Sequence, residues 1–521
     1  MPVDTSEPRD LKGTALPSHS DAIPQARSQL GPTDRVVVCG AGPAGLTAAY
    51  LLGRSGIRVI LLEATAEVGG LARTARYKQY AFDIGGHRFF TKIGPVQAMW
   101  EELLGDDLID VPRLSRIHYR GRFFQYPLRA TDALLGLGVW RTARVLGSYL
   151  WSKVHPSPTE DNFEQWVSNR FGSELYRTFF KTYTEKVWGI PCTEIRSEWA
   201  AQRIRGLSLG RAILSATPLQ RRSSEIRTLI DEFKYPRLGP GQLWERCRDH
   251  FCAAGGEVRM QHCVERFETD GRRVVAAGIA APDGGRRRIE AEHFISTLSL
   301  RAMVRAFGTA APLPVRAAAE RLSYRDFVLV ALVVDRADLF PDNWIYVHTP
   351  GVKVGRIQNF NNWSAALVPV PGTTLLGMEY FCFQGDALWA RPDAELIALA
   401  ARELKSLGLA KGAEVRDGTV VRVPEAYPTY TADYRGNVNT IREFVDSLAN
   451  FQTVGRNGMH KYNNQDHSML AAMLAVDNLH GASHDLWSLN SDMDYQEEVR
   501  LHHQATAPSF AYAGSNGNGT T

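Results

Sequence analysis

A glycine-rich turn between two short apolar runs is the feature of this chain that most constrains its fold. Val36–Cys39 predicts a buried strand, Gly40–Gly45 has the spacing G-x-G-x-x-G, and Leu46–Arg54 predicts a helix. Arg58–Leu62 predicts a second buried strand. This order forms a βαβ unit, which starts a parallel sheet in an α/β fold. The first glycine permits the turn, the second lets a diphosphate approach the backbone, and the third lets the helix pack closely.

The residues after the second strand narrow the choice of ligand. Glu63 ends that strand, at the position where a carboxylate accepts a hydrogen bond from a ribose hydroxyl. NAD and FAD enzymes share this opening. The run 63–74 is similar to the E-x-x-x-x-x-G-G-x-x-x-S/T continuation of FAD-dependent oxidoreductases. In those proteins the glycine pair (here Gly69 and Gly70) and a following arginine (Arg73) embrace the pyrophosphate, so FAD is favoured over NAD.

A second glycine pair, Gly85 and Gly86, follows within 82–90. A turn of small residues lets a flat isoalloxazine ring lie against the backbone, although an ordinary tight turn is the alternative. His87 comes directly after this pair, and its residue type alone indicates a structural histidine more often than a functional one.

Composition excludes several classes of protein. The 521 residues carry 60 basic and 56 acidic side chains, and this balance argues against a nucleic-acid partner. The six cysteines lack the spacing of a zinc site or a disulfide framework, so no metal is expected. The most apolar stretch, Ala133–Trp151, contains Arg141 and Arg144 and is too short to span a bilayer. We interpret it as a packed helix and, since the first residues show no secretory signal, expect a cytoplasmic protein with no membrane partner.

Patterning along the chain predicts several domains, as its length also does. Residues 126–232, rich in Trp, Tyr and Arg, predict an inserted helical domain, and alternating patterns over 325–440 predict an antiparallel-sheet substrate domain. The remaining segments are expected to be a disordered tail over 1–33, three parts of a dinucleotide-binding domain over 34–125, 233–324 and 441–485, and a C-terminal extension with a disordered tail over 486–521.

Five segments resemble the UDP-galactopyranose mutase-type flavoenzymes, within the wider amine oxidase and protoporphyrinogen oxidase superfamily. The resemblance spans about residues 34–485 and is closer to mutases of the eukaryotic type than to generic amine oxidases. It implies a Rossmann-type, GR2-like FAD-binding domain with an inserted helical domain and an antiparallel-sheet substrate domain. The segments are Asp83–His87, Tyr183–Gly189, Gly355–Ile357, Ala426–Pro428 and Gly455–Ser468.

The chemistry of that family implies a function. Its members use reduced FAD as a nucleophile at the anomeric carbon of a nucleoside diphosphate sugar, and the sugar recloses from a pyranose to a furanose. The resemblance therefore implies FAD in its reduced form, NAD(P)H as reductant and a nucleoside diphosphate sugar as substrate. The implied catalytic residues are His87, Arg203 and Arg356, and the implied substrate-binding residues are Trp188, Arg203, Arg356, Trp363, Tyr427 and Tyr462.

Each implied role has a plainer alternative. The arginines match residues that clamp the diphosphate, yet an arginine is often a surface residue. The tyrosines and Trp188 match residues that line the substrate site, yet aromatic side chains usually pack in a core. The backbone carbonyl at His87 is expected to accept the N5 proton of the reduced flavin. Asp466 is expected to open a helix whose N–H groups approach the flavin ring, with a plain N-cap as the alternative.

The expected cofactor-binding residues come from both ends of the chain. They are Gly40, Gly42, Pro43, Ala44, Gly45, Glu63, Gly69, Gly70, Leu71, Arg73, Gly85, Gly86, His87, Val264, Gly455, Arg456, Tyr462, Asn464, Gln465, Asp466 and Ser468.

One departure from the family leaves the function open. The family has a tyrosine where this chain has Trp363, so a diphosphate contact is either lost or replaced by the indole N–H. Net oxidation of an amine, a sugar or an isoprenoid by oxidised FAD is an alternative function, and a binding protein that retains FAD structurally is a third. The sugar, the nucleotide and the formation of a homodimer are left open.

Overall fold

The computed structural model describes residues 29–31, 33–126, 128, 132, 136–197, 232–431 and 433–489. Its strands are β1 Arg35–Cys39, β2 Arg58–Leu62, β3 Thr74–Tyr77, β4 Tyr80–Asp83, β5 Leu108–Pro112, β6 Ser115–Tyr119, β7 Arg122–Gln125, β8 Glu232–Pro236, β9 Glu257–Arg259, β10 Cys263–Asp270, β11 Arg273–Ala280, β12 Arg286–Glu290, β13 His293–Ser296, β14 Tyr324–Val334, β15 Trp344–Val347, β16 Arg356–Asn359, β17 Thr374–Cys382, β18 Val415–Pro428 and β19 Phe451–Thr453. Its main helices are α1 Pro43–Arg54, α2 Gly94–Leu104, α3 Val139–Val154, α4 Phe163–Phe171, α5 Thr182–Trp188, α6 Gly241–Ala253, α7 Leu300–Phe307, α8 Leu313–Arg321, α9 Asp393–Ser406, α10 Tyr434–Asp446 and α11 Gln465–Leu479.

A parallel sheet of five strands carries the predicted βαβ unit. Its order is β19-β13-β1-β2-β9, with α1 packed against α6 and α11. Parallel sheets are buried on both faces, which explains why β1 and β2 are almost continuously apolar. The strand order reverses between β1 and β13, and ligands of open α/β sheets bind at such a point. The predicted α/β fold and its first unit are confirmed.

A second sheet has seven strands in the order β18-β14-β17-β16-β15-β6-β7. Its pairs are antiparallel except β15 with β6, which run parallel. The sequence-based boundary at residue 125 is wrong here, because β6 and β7 belong to this sheet and not to the dinucleotide-binding domain. Ser115 pairs with Trp344, and a pairing of such long range leaves no local pattern in the sequence.

The described part of 126–232 is helical. α4 begins with a capping box, in which Asn162 accepts from the N–H of Gln165 and the Gln165 side chain accepts from the N–H of Asn162. A π-helical turn, Tyr176–Lys181, leads into α5.

Two expectations about the periphery need correction. α3 packs through only one side, and Trp140 and Trp151 on its outer side are exposed, so the expectation of a packed helix is wrong for that side. The predicted N-terminal tail is ordered at its end, where the Leu30 N–H donates to Leu479 O. Within the described ranges, no helix combines the length and the apolar character needed to cross a membrane.

Candidate functional site

The turn between β1 and α1 forms a cradle that depends on glycine. Gly40 has φ +101°, and a Cβ there would lie 2.1 Å from Thr297 Oγ1. A Cβ on Gly45 would lie 1.8 Å from Gly40 O, because α1 packs directly against the loop. Gly42 caps α1 in an extended conformation, and Pro43 takes the first helical position, where an N–H has no partner within the helix. A side chain at Gly40 or Gly45 would therefore clash with neighbouring atoms and distort this turn.

The second glycine pair lies against the first loop. The Gly69 N–H donates to Ala41 O over 2.8 Å, and a Cβ on Gly70 would approach Gly42 Cα to 3.2 Å. Arg73 Nη1 donates to Gly70 O over 3.0 Å. Two stretches that are separate in sequence thus form one backbone surface with an arginine at its edge.

Glu63 ties this surface together. Its Oε2 accepts from the Ala41 N–H over 2.7 Å, and its Oε1 accepts from the N–H of Thr65 and from Thr65 Oγ1. The carboxylate therefore fixes the turn, an interaction that the sequence-based interpretation did not include. Oε2, which accepts only one of these hydrogen bonds, retains a second lone pair for a ribose hydroxyl.

The remaining predicted cofactor residues extend the same surface. Val264 lies on β10, two residues after His262, whose N–H donates to Glu63 O. Leu71 packs against the aromatic cluster under the seven-stranded sheet, and Ser468 is buried in the first turn of α11. The glycine cradle, the carboxylate and the helix terminus fit the adenine dinucleotide part of FAD.

The start of α11 differs from the expected arrangement. Asn464, not Asp466, is the N-cap, so the plain N-cap alternative for Asp466 is wrong. Asp466 is buried and accepts from Thr91 Oγ1, while Gln465 accepts from Trp244 Nε1 over 3.0 Å. These contacts orient the first turn of the helix.

A buried polar cluster lies on the seven-stranded sheet. Arg356 begins β16 opposite Glu379 on β17, and its Nη2 lies 2.5 Å from Glu379 Oε2 and donates to the Tyr427 hydroxyl over 2.8 Å. Burial is the largest influence and lowers the pKa of Arg356, but Glu379 and the tyrosines around it together outweigh burial, and the pKa ends above its ordinary value. Burial raises the pKa of Glu379, and Arg356 opposes this shift. The Arg356 guanidinium therefore stays positively charged although it is buried.

Arg456 connects the polar cluster with the dinucleotide turn. It follows Gly455, where a Cβ would come within 3.3 Å of Ala44 Cβ. Its guanidinium lies 5.5 Å from the ring of Tyr427 and 5.0 Å from the ring of Tyr462. These two rings stack at 5.5 Å with an interplanar angle of 12°. Three of the predicted substrate-side residues, Arg356, Tyr427 and Tyr462, thus lie together beside the turn.

His87 belongs to the same region. Its Nε2 is shielded from solvent and has no hydrogen-bond partner among the described residues. Burial lowers the pKa of His87 to about 4, and the charges of Arg456 and Arg356 act in the same direction. The imidazole is therefore neutral at pH 7. Gly86, just before it, lies so close to Trp344 that a Cβ would be 1.5 Å from that ring.

Four residues near Arg356 were missed by the sequence interpretation. Trp344 and Phe381 place their rings 4.9 and 4.7 Å from its guanidinium, and Glu379 is its ion-pair partner. Tyr183 acts electrostatically to raise the pKa of Arg356, and its ring stacks on that of His348 with the centroids 4.5 Å apart. One signal was available: Glu379 is an acid in an otherwise apolar strand, and a buried acid requires a partner.

Three predicted substrate residues are placed differently from the rest. Trp363 is buried and its indole N–H donates to Asn343 O over 3.0 Å, so of the two alternatives for this contact, loss and replacement by the indole N–H, the structure favours loss. Trp188 packs in the helical-domain cluster that also borders Tyr462. Arg203 lies outside the described residues.

Comparisons with known proteins agree with the cradle and the fold. The chain is 27% identical over 258 residues to the flavin-containing amine oxidase B of Sus scrofa, a match that covers 46% of each chain. The chain therefore spans less than half the length of this curated relative. A crystal structure of reduced UDP-galactopyranose mutase is similar with a TM-score of 0.76 at 21% identity, covering 88% of this chain and 96% of that one. A protein from Exiguobacterium sp. 255-15, named as a protoporphyrinogen oxidase, is similar with a TM-score of 0.65 at 17% identity, covering 87% and 99%.

At these identities the two structures show the fold alone. The sequence profile described as "Flavin containing amine oxidoreductase" matches residues 43–464, which is most of the chain. That range begins inside the glycine turn at Pro43 and ends at Asn464, the N-cap of α11. The chain belongs to the family of flavin containing amine oxidoreductases.

Proposed function

We propose that this flavoprotein is a mutase that interconverts pyranose and furanose forms of a nucleoside diphosphate sugar. The observation that carries the proposal is the buried Arg356, held between Glu379 and Tyr427 beside the cofactor cradle. Arginine forks suit diphosphate oxygens, and a guanidinium has five N–H donors. Its Nε is buried without a hydrogen-bond partner among the described residues, so a ligand oxygen would satisfy it.

The tyrosines support the same assignment. The stacked rings of Tyr427 and Tyr462, with Arg456 against both, provide a flat surface for a sugar or base and hydroxyls for phosphate oxygens. Glu379 already neutralises Arg356, but Arg456 adds a further positive charge beside Tyr427, which requires an anion to balance it. A doubly charged diphosphate meets this requirement better than a neutral amine or an isoprenoid does.

Reduced FAD, when bound, would supply a nucleophilic nitrogen for the anomeric carbon of the sugar. The role of the chain is to bind the diphosphate through Arg356, orient the sugar over the aromatic surface and exclude water. His87 stays neutral, because its pKa is about 4, and does not add a third cation. Its backbone carbonyl is proposed to hold the proton of the reduced cofactor. Arg203 is proposed as a second clamp on the diphosphate, and NAD(P)H as the reductant.

Mass balance distinguishes this proposal from net oxidation. Dithionite-reduced protein would be incubated under nitrogen with a panel of UDP-sugars, and the products separated by chromatography. We expect an isomer of one substrate, with no reduced acceptor formed. Oxidised protein that turns over an amine, sugar or isoprenoid and produces hydrogen peroxide, while reduced protein leaves every sugar unchanged, would overturn the proposal.

A variant separates substrate contacts from cofactor contacts. Tyr427→Phe removes one hydroxyl and keeps the ring that stacks on Tyr462, so we expect a higher KM with the flavin retained. Tyr77→Phe is a matched control, because the Tyr77 hydroxyl donates to Asp417, whereas the Tyr427 hydroxyl accepts from Arg356. Equal kinetics for both variants would remove Tyr427 from the substrate site.

A further inference from the structure

An apolar stripe on α3 faces away from the protein. Val139, Trp140, Leu150, Trp151 and Val154 are exposed to 84, 87, 63, 66 and 73%. At about 100° per residue they fall within an arc of about 120°, together with Ala143 and Gly147. The opposite side of α3 buries Val145 and Ser152. Helices of globular proteins normally turn their apolar side inward, so the outward stripe requires another explanation.

The charges around the stripe have one sign. α3 contains Arg141, Arg144 and Lys153 and no acidic residue. By the same helical spacing, Arg144 lies on one flank of the stripe and Lys153 on the other. Glu174, from the neighbouring helix, pairs with Arg144 over 2.6 Å and also lies 3.7 Å from Arg177. With Glu174 and Arg177 counted, the charged side chains on and next to α3 still sum to a positive charge.

We propose that α3 docks this protein onto an anionic lipid bilayer surface. Tryptophan is the residue that prefers the membrane–water boundary, and here Trp140 and Trp151 lie at the two ends of the stripe. Basic side chains that flank an apolar face attract anionic headgroups. The helix lies in the plane of the bilayer and does not cross it. This proposal replaces the sequence-based expectation of no membrane partner, and it is independent of the proposed mutase activity.

The observations favour a bilayer over a second copy of the chain. α3 has 16 residues. It is therefore about 24 Å long, and a stripe about 10 Å wide offers about 240 Å². A stable interface needs about 800 Å² on each partner. A two-fold dimer would also place the same cationic flanks against each other.

Flotation with lipid vesicles tests the proposal on the full FAD-loaded chain. The probes are mixed phosphatidylcholine–phosphatidylglycerol vesicles and pure phosphatidylcholine vesicles. We expect flotation with the mixed vesicles, less with the neutral ones, and a decrease as salt is added. In the double variant Trp140→Ser/Trp151→Ser the apparent partition coefficient should fall by about tenfold or more. Leu313→Ser is the matched control, since Leu313 is 70% exposed on α8, and it should float like the wild type.

Several results would overturn the proposal. These are no flotation with either vesicle, equal flotation of the double variant and the wild type, or a wild-type dimer that the double variant dissociates while neither protein floats. If the double variant fails to fold, shown by loss of flavin absorbance, the wild type with brominated phosphatidylcholine in the mixed vesicles decides the question. Quenching of tryptophan fluorescence supports docking, and unquenched emission refutes it.

Discussion

Substitution of Arg356 by alanine, alone and together with Glu379→Gln, should distinguish what the buried ion pair contributes to protein stability from what Arg356 contributes to ligand binding. The Arg356 side chain is 11% exposed and that of Glu379 is fully buried, with the two charges 2.5 Å apart. Removal of one partner of a buried pair leaves the other charge without compensation and costs about 3–5 kcal/mol. Arg356→Ala should therefore lower the free energy of unfolding by about that amount, as measured by urea titration of the FAD-loaded protein.

The loss should depend on pH in a defined direction. Burial already raises the pKa of Glu379, and without Arg356 the pKa rises further. The folded variant then binds a proton that the unfolded chain releases above about pH 4.3. Because the folded state holds more protons, stability of Arg356→Ala should fall as pH rises above that value, relative to the wild type. Adding Glu379→Gln should remove the extra pH dependence and recover part of the stability.

The double variant Arg356→Ala/Glu379→Gln should recover part of the stability but should not recover ligand binding. A hydrogen bond to a charged group is worth about 1.5–3 kcal/mol, so Arg356→Ala should weaken UDP binding by about tenfold to a hundredfold in calorimetry. The double variant with Glu379→Gln should bind UDP equally weakly. Arg416→Ala is a control, because the Arg416–Asp335 pair is exposed and is worth about 0–1 kcal/mol. Wild-type UDP affinity in the double variant would refute the diphosphate role, and loss of flavin in both variants would place Arg356 in the cofactor site.

Three further predictions concern the cradle, a buried acid and a buried lysine. A Cβ on Gly45 would lie 1.8 Å from a backbone oxygen, so Gly45→Ala should purify without the yellow flavin absorbance, whereas Gly436→Ala, at a position with open space, should keep it. Burial raises the pKa of Asp83 to about 8, partly opposed by its hydrogen-bond donors. The folded state therefore holds a proton that the unfolded chain loses above about pH 4, and Asp83→Asn should flatten the decline in urea stability between about pH 4 and 8. Lys186 Nζ donates to the carbonyls of Val347, which ends β15, and of Thr349 and Val354 in the loop before β16. Lys186→Met should therefore lower the free energy of unfolding by about 2–3 kcal/mol in the same titration, and an unchanged midpoint would contradict this.

The parts of the fold that could be predicted are those set by local interactions. The turn at Gly40–Gly45 joins β1 to α1, and its tightest contact, between Gly45 and Gly40 O, lies within the turn itself. Spacing in the sequence was therefore sufficient to predict it. The membership of β6 in the seven-stranded sheet depends on β15, more than 200 residues away, and no periodicity within β6 specifies that partner. The domain boundary at residue 125 was wrong for this reason.

The residues of the candidate site also fall into two groups: those that a local sequence segment predicts and those that only the pairing of distant strands reveals. Arg356 and Tyr427 could be predicted because each lies in a recognisable sequence segment. Glu379, the ion-pair partner of Arg356, is found only through the pairing of β16 with β17. Trp363 shows the opposite case: its residue type indicated a donor for a ligand, yet the fold directs that N–H to the Asn343 carbonyl. A polar group predicted from sequence is available to a ligand only if the protein has not already satisfied it. The orphaned Nε of Arg356 meets that condition and the indole of Trp363 does not, which is why we propose the arginine as the diphosphate clamp.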